Sequence, residues 1–303
     1  MSDPMSDPVS DPTSDHGGHE PIRFDGQVAI VTGAGRGLGA AYARLLARLG
    51  AKVVVHDAGV AQDGSGFDRS VADGIAAEIA AEGGNAAAIY QNLEEPGAGD
   101  GIAAFALERF GRIDVLVHNA GLVVFAALEE TTLPVWNRMR AIGIDAAFHL
   151  AHAVVPPMKR QGYGRIVLTT SGRAMRVADC VPGLIAYSAA KMAQVGLMVG
   201  LAAELQGTGI HVNAISPVAA TRVLRRQAPE LRPELVAPAV AFLASAACQA
   251  SGVVVSAAGG RFSTGSWERG DAIDLGSSPA SPQDIALHWQ RLCGDLAVAE
   301  ISG

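Results

Sequence analysis

The chain has 303 residues, a formal net charge of −7 at pH 7, 49% hydrophobic residues and only 5% aromatic ones. That balance suits one large α/β domain with aliphatic strands and closely packed helices, and it offers no basic, aromatic-interleaved surface for nucleic acid. No run of eighteen apolar residues and no leader-like segment occurs, so neither a membrane span nor a signal peptide is expected and the chain reads as cytoplasmic. Cys180, Cys248 and Cys293 are too far apart for a disulfide framework or a metal spacing.

In chain order, residues 1–21 repeat Ser-Asp-Pro at Ser2, Ser6 and Ser10 and carry two isolated histidines, His16 and His19. Such a segment has too little apolar surface to order itself and is expected to be a disordered tail without metal chemistry. From Gln27 onward short aliphatic runs alternate with helical stretches, the pattern of βαβ units around a parallel sheet. Strands are expected at Val28–Thr32, Lys52–His56, Ala86–Tyr90, Val115–His118, Arg165–Thr169, His211–Ile215 and Gly252–Ala257. Helices are expected at Leu38–Leu49, Val71–Glu82, Gly101–Phe110, Leu133–Arg160, Leu184–Gln206, Pro233–Ser245 and Pro282–Leu296. Together they predict a single doubly wound (Rossmann) domain over residues 22–303: a seven-stranded parallel sheet, helices on both faces and a C-terminal helical extension.

Two stretches carry chemistry. Thr32-Gly33-Ala34-Gly35-Arg36-Gly37-Leu38-Gly39 follows the first strand and opens the first helix, where glycines permit a tight turn and let backbone approach a pyrophosphate at the helix N-terminus. Asp57 closes the second strand; a carboxylate there binds ribose hydroxyls and repels a 2′-phosphate, which favours NAD over NADP, while Arg36 inside the turn argues the other way. Further along, Tyr187 and Lys191 stand four residues apart and share a helix face, about 5–6 Å apart at Cβ. A neighbouring ammonium can lower a phenol's pKa, and a phenolate base working at about pH 7 needs a shift of roughly three units from its usual value near 10.

With these residues assembled, nearly everything after the tail resembles the short-chain dehydrogenase/reductase family. Thr32-Gly33 through Gly39 is similar to its cofactor turn, and His118-Asn119-Ala120-Gly121 to its Asn-Asn-Ala-Gly segment, with histidine for the first asparagine. Ser171, Tyr187 and Lys191 match the catalytic serine, tyrosine and lysine, and Asn213-Ala-Ile-Ser-Pro217 with Thr221 matches the segment at the nicotinamide end. The resemblance implies cofactor contacts from Gly33, Arg36, Gly37, Leu38, Gly39, Asp57, Asn92, Leu93, Asn119, Ala120, Gly121, Tyr187, Lys191, Pro217 and Thr221, and no metal.

Two departures stand out. Aligning Trp136 and Phe148 places Gly143 where the family has a fourth catalytic residue, an asparagine that helps hold a water linking the lysine to solvent. His149 and His152 lie on the same expected helix and read as polar positions on a packed helix. The interval from Ser171 to Tyr187 is also longer than the family's usual one, the extra residues falling in Arg173–Leu184, which should border the substrate.

Pro229 to Pro238, Gly252 to Gly260, Trp267-Glu268-Arg269 and His288 to Cys293 give a narrower resemblance, to the (3R)-hydroxyacyl-CoA dehydrogenase unit of type 2 peroxisomal multifunctional enzymes. This implies NAD-dependent oxidation of a secondary alcohol, with a 3-hydroxyacyl-CoA as first substrate class. Hydroxysteroids follow, on the aliphatic residues Leu122, Val123, Val124, Met175, Val181, Leu184 and Leu224. A non-catalytic NAD sensor or scaffold stays open because of Gly143. An acyl-carrier-protein ketoreductase is disfavoured by Asp57 and the net charge. The family also implies a homodimer or homotetramer through the two long helices, whose faces include Ala146, Ala147, Ala193 and Gly196.

Overall fold

The computed structural model describes residues 20–61, 65–220, 228–265, 272–276 and 279–293. Most of the expected tail, residues 1–19, lies outside these, as do Thr221, Leu224 and Trp267.

The described elements are β1 (Val28–Thr32), α1 (Gly37–Arg48), β2 (Lys52–His56), α2 (Ser70–Ala81), β3 (Asn85–Ile89), α3 (Ala98–Phe110), β4 (Val115–His118), α4 (Leu133–Arg140) and α5 (Ala146–Gln161). They continue through β5 (Gly164–Thr169), α6 (Gly172–Met175), α7 (Ile185–Glu204), β6 (Ile210–Val218), α8 (Ala237–Ala244), β7 (Val254–Ala258), β8 (Arg261–Gly265), α9 (Pro282–Leu287) and α10 (Trp289–Cys293). The sheet runs in the order β3-β2-β1-β4-β5-β6-β7-β8, parallel from β3 to β7.

The central strands are aliphatic on both sides because both faces are covered. Ala29, Val31, Val53 and Val55 pack beneath α1, α2 and α8. Ile30, Val54, Leu116 and Ile166 pack against α3, α5 and α7 through Ile102, Leu150 and Val195. The chain winds outward in both directions from β1 and β4, and the crevice at their carboxyl ends is the position where doubly wound sheets bind ligands.

Three expectations need correction. The sheet has eight strands rather than seven: the chain turns back at Gly259 and Gly260, both at positive φ, and β8 pairs antiparallel with β7. All five residues of β8 are exposed, so it lacks the apolar alternation that marks a half-buried strand. The long central helix is interrupted by a wide π-turn, Ala141–Asp145, between α4 and α5. The terminal helix divides at His288 into α9 and α10, and residues 294–296 fall outside the described residues.

One further observation bears on the membrane expectation. α7 is long and apolar enough, by length and composition alone, to cross a bilayer. Its Lys191, Gln194, Val195 and Met198 are nevertheless buried, turned toward the sheet and the π-turn.

Candidate active site

The turn between β1 and α1 is shaped by close approach. Gly33 has φ +63°, and a Cβ there would stand 2.9 Å from the Cα of Ala120; a Cβ on Gly39 would stand 2.1 Å from the Gly33 carbonyl oxygen. Gly39 therefore lets the helix close on the turn and does not itself line the crevice. No side chain caps the start of α1 at Arg36, leaving the first N–H groups of that helix to an anion.

The β4 segment is stitched to this turn. Thr32 Oγ1 accepts from the backbone N–H groups of Asn119 and Ala120, each at 3.1 Å, and the Asn119 amide donates to the carbonyls of Thr32 and Gly33, each at 3.2 Å. With two bonds accepted, the Thr32 hydroxyl gives its own proton to His118 Nδ1 at 3.0 Å, which puts the ring proton on Nε2. His118 thus takes up a tie between β1 and β4. Burial drops its pKa to about 3. His56, one strand over, hydrogen-bonds the Gln91 carbonyl through Nε2 at 2.7 Å and is likewise lowered by burial.

Asp57 is held on both oxygens, by the N–H of Gly35 at 2.9 Å and of Gly59 at 2.8 Å. Its charge therefore faces the crevice from a fixed position. Arg36 reaches the Val60 carbonyl at 3.4 Å, beside the same rim.

At the other end, Ser171 follows β5 and accepts from the backbone N–H of Arg173 at 3.3 Å. Lys191 is buried on α7 and donates through Nζ to the Thr169 carbonyl at 2.8 Å, while Thr170 Oγ1 donates to the Lys191 carbonyl at 2.8 Å. Burial lowers the ammonium's pKa to about 8. The Lys191 Nζ lies 6.0 Å from the centroid of the Tyr187 ring. Contrary to the sequence expectation, the phenol's pKa is raised: burial dominates, opposed by the Ser171 hydrogen bond and the charge of Arg173.

The glycine turn, Asp57 and the Ser171, Tyr187 and Lys191 group open on one cavity of about 900 Å³. Gly33, Arg36, Gly37, Leu38, Asp57, Asn92, Leu93, Asn119, Ala120, Gly121, Ser171, Tyr187, Lys191 and Pro217 line it. Thr221 lies outside the described residues. Of the expected aliphatic wall, Leu122, Val123 and Leu184 line the cavity, whereas Val124, Met175 and Val181 do not. His149 and His152 are exposed beside Phe148 on the outer side of α5 and do not line it. No cluster of metal-ligating side chains occurs among the described residues.

Sequence reading missed Gln194. It is 1% exposed, donates to the Gly143 carbonyl at 3.0 Å, and accepts from the Thr169 N–H at 3.1 Å. A Cβ at position 143 would stand 2.6 Å from the Cβ of Ala190, which accounts for glycine there. The available signal was a carboxamide three residues after Lys191, on a helix face whose other buried positions are mostly apolar.

A helix N-terminus at a glycine turn, a ribose-level carboxylate and a phenol–ammonium pair, all in one crevice, define a dinucleotide-binding oxidoreductase. Residues 27–230 match the short chain dehydrogenase family. The peroxisomal multifunctional enzyme type 2 of Mus musculus is 37% identical over 280 residues, 90% of this chain but 37% of that protein. A short chain dehydrogenase structure from Mycobacterium avium superposes with TM-score 0.78 at 34% identity, covering 89% of this chain and 96% of that one. A metagenomic short-chain oxidoreductase in complex with NADP superposes with TM-score 0.64 at 33% identity, covering 75% of this chain and 95% of its own. The chain belongs to the short-chain dehydrogenase/reductase family, whose fold binds NAD(P), and is an oxidoreductase acting on CH–OH groups of a small-molecule substrate.

Proposed function

We propose that this enzyme oxidises the carbinol of a 3-hydroxyacyl thioester with NAD. The observation that carries the reading is the convergence of Ser171, Tyr187 and Lys191 on a single cavity whose far end holds the glycine turn and Asp57. Similarity to the mouse multifunctional enzyme supports the acyl-CoA class. Asp57 supports NAD, since its fixed carboxylate repels a 2′-phosphate; Arg36 and the NADP-bound neighbour make NADP the competing cofactor.

In this reading Ser171 Oγ and Tyr187 Oη hold the carbinol oxygen, and Tyr187 takes its proton as general base, a step that typically contributes about 10²–10⁴-fold. Lys191 keeps positive charge near the phenolate and reaches the cofactor's ribose; Thr169 and Thr170 fix where that charge sits. NAD, when bound, supplies the hydride acceptor and a positive ring that favours the phenolate.

A homodimer or homotetramer through α5 and α7 belongs to the same reading. Phe148, 52% exposed, borders a hollow between these helices that Ala147, Ala193 and Leu197 also line. The aliphatic wall of Leu122, Val123 and Leu184 keeps hydroxysteroids as the second substrate class.

The test is nicotinamide absorbance on purified protein with NAD or NADP, a panel of (3R)-3-hydroxyacyl-CoAs and hydroxysteroids, and Tyr187→Phe as control. Turnover of the acyl-CoAs with NAD, lost by at least 100-fold in the variant, is the expected result. Tight NAD binding without turnover of any panel member would instead favour a non-catalytic sensor.

A further inference from the structure

The substrate wall contains a cation that forms no ion pair among the described residues. Arg173 stands two residues after Ser171, lines the cavity with Ser171 and Tyr187, and is half-buried. Its backbone is held on both sides: the N–H donates to Ser171 Oγ at 3.3 Å and the carbonyl accepts from Ser188 Oγ at 3.3 Å. The other arginines around this end are mostly neutralised, Arg138 by Glu94 at 2.9 Å and Arg176 by Asp179 at 2.7 Å. Arg261 is exposed at the start of β8, on the rim. The guanidinium of Arg173 makes no ion pair or side-chain hydrogen bond among the described residues. Arg173 shares the cavity wall with Leu122 and Leu184, and a ligand oxygen that met its guanidinium would gain a charge-assisted hydrogen bond.

We propose that Arg173 is a specificity-determining residue that binds the C1 oxygen of a 3-hydroxyacyl group, as thioester carbonyl or as free carboxylate. This rests on the reading that Ser171 and Tyr187 hold the carbinol oxygen. In a 3-hydroxyacyl group the C1 oxygen is carried two carbons from that carbinol, and Arg173 follows Ser171 with only the side-chain-less Gly172 between them. A guanidinium suits such an acceptor: it stays charged throughout the working pH range and can meet a carboxylate with two parallel bonds. Its charge also bears on the Tyr187 phenol at the reacting end of the cavity. A plain secondary alcohol or a hydroxysteroid offers no C1 oxygen there, so the same residue discriminates against the second substrate class.

The experiment runs the reaction in the reducing direction with NADH on three ketones, acetoacetyl-CoA, acetoacetate and pentan-2-one, in wild type, Arg173→Met and Arg173→Lys. The readout is the ratio of kcat/KM for each acyl substrate to that for pentan-2-one. Where the plain ketone is not turned over, inhibition constants replace kcat/KM. Loss of a charge-assisted hydrogen bond predicts a fall of about 10- to 100-fold in that ratio for Arg173→Met, carried mainly by KM, with an intermediate value for Arg173→Lys. The two acyl arms show whether thioester or carboxylate depends on it more. An unchanged ratio overturns the role of Arg173 and leaves the reaction assignment standing. A wild-type protein that reduces neither acetoacetyl-CoA nor acetoacetate sinks the acyl reading itself. NADH binding, followed by fluorescence, identifies a variant that has failed to fold, and Arg173→Gln then takes the place of Arg173→Met.

Discussion

The carboxamide of Gln194 donates to the carbonyl of Gly143 at 3.0 Å, tying α7 to the π-turn. The same side chain accepts from the N–H of Thr169, whose carbonyl receives Lys191 Nζ. One buried residue therefore braces both the π-turn at Gly143 and the peptide that locates the ammonium. Replacing Gln194 by Leu takes the side-chain partner away from two buried backbone groups, at up to about 1–3 kcal/mol each. Urea unfolding of Gln194→Leu is expected to show a loss of about 2–6 kcal/mol, with kcat falling more than NAD affinity. A loss under 1 kcal/mol would mean the brace carries little.

Position 143 offers a second check on the same geometry. Gly143→Ala drives a Cβ to 2.6 Å from the Cβ of Ala190, an overpacking worth about 1–3 kcal/mol. Ala190→Gly removes the opposing atom. The double variant should therefore be more stable than Gly143→Ala alone, even though a mid-helix glycine itself costs about 1 kcal/mol. Strictly additive losses in thermal unfolding would show that the two positions do not clash.

Lys191 carries a stability cost that depends on pH. Its pKa falls from 10.5 in the unfolded chain to about 8 in the folded one, a difference of roughly 3 kcal/mol. Between those values the unfolded chain binds more protons, so stability rises with pH there; below about pH 8 both states are protonated and the full cost persists. Unfolding free energies from pH 7.5 to 10.5 should rise more steeply for wild type than for Lys191→Met. Parallel curves would contradict the burial of a charged Lys191.

His118 predicts the opposite end of the scale. The folded ring stays neutral down to about pH 3 while the unfolded ring protonates near 6.5. Stability is therefore present above pH 6.5, is lost as pH falls, and levels off below about 3, with a full range of up to about 5 kcal/mol. His118→Asn, which removes the titrating ring, should flatten the acid limb of the unfolding curve. An unchanged limb would place the acid sensitivity elsewhere.

The sheet was legible where strands are buried on both faces. β1, β2 and β4 fall on the expected residues because Val28–Thr32, Lys52–His56 and Val115–His118 are compact aliphatic runs with clear breaks on either side. β8 was not, since Arg261–Gly265 buries nothing and exists by pairing with β7 after a two-glycine turn. The π-turn was hidden for another reason: one extra residue in a helical turn barely disturbs the apolar period across Leu133–Arg160. At the site, the glycine turn and the Tyr187–Lys191 spacing were readable because backbone conformation and helix geometry prescribe them. Arg173 opens the longer Arg173–Leu184 segment that the sequence already set beside the substrate, and it lines the cavity; Gln194 was not readable, because what sets it apart is what lies across from it in space, two backbone groups.

The hairpin of β7 and β8 has a bearing on how such an enzyme can diversify. Arg261, Phe262 and Ser263 line the cavity from a strand whose five residues are otherwise turned to solvent. Nothing in the buried sheet depends on their side chains, so mutation can redraw this margin without disturbing the strands that hold the cofactor turn or Lys191. The outermost strand is thus an interchangeable fitting on a fixed chassis, and new substrate preferences can arise there at little cost to folding.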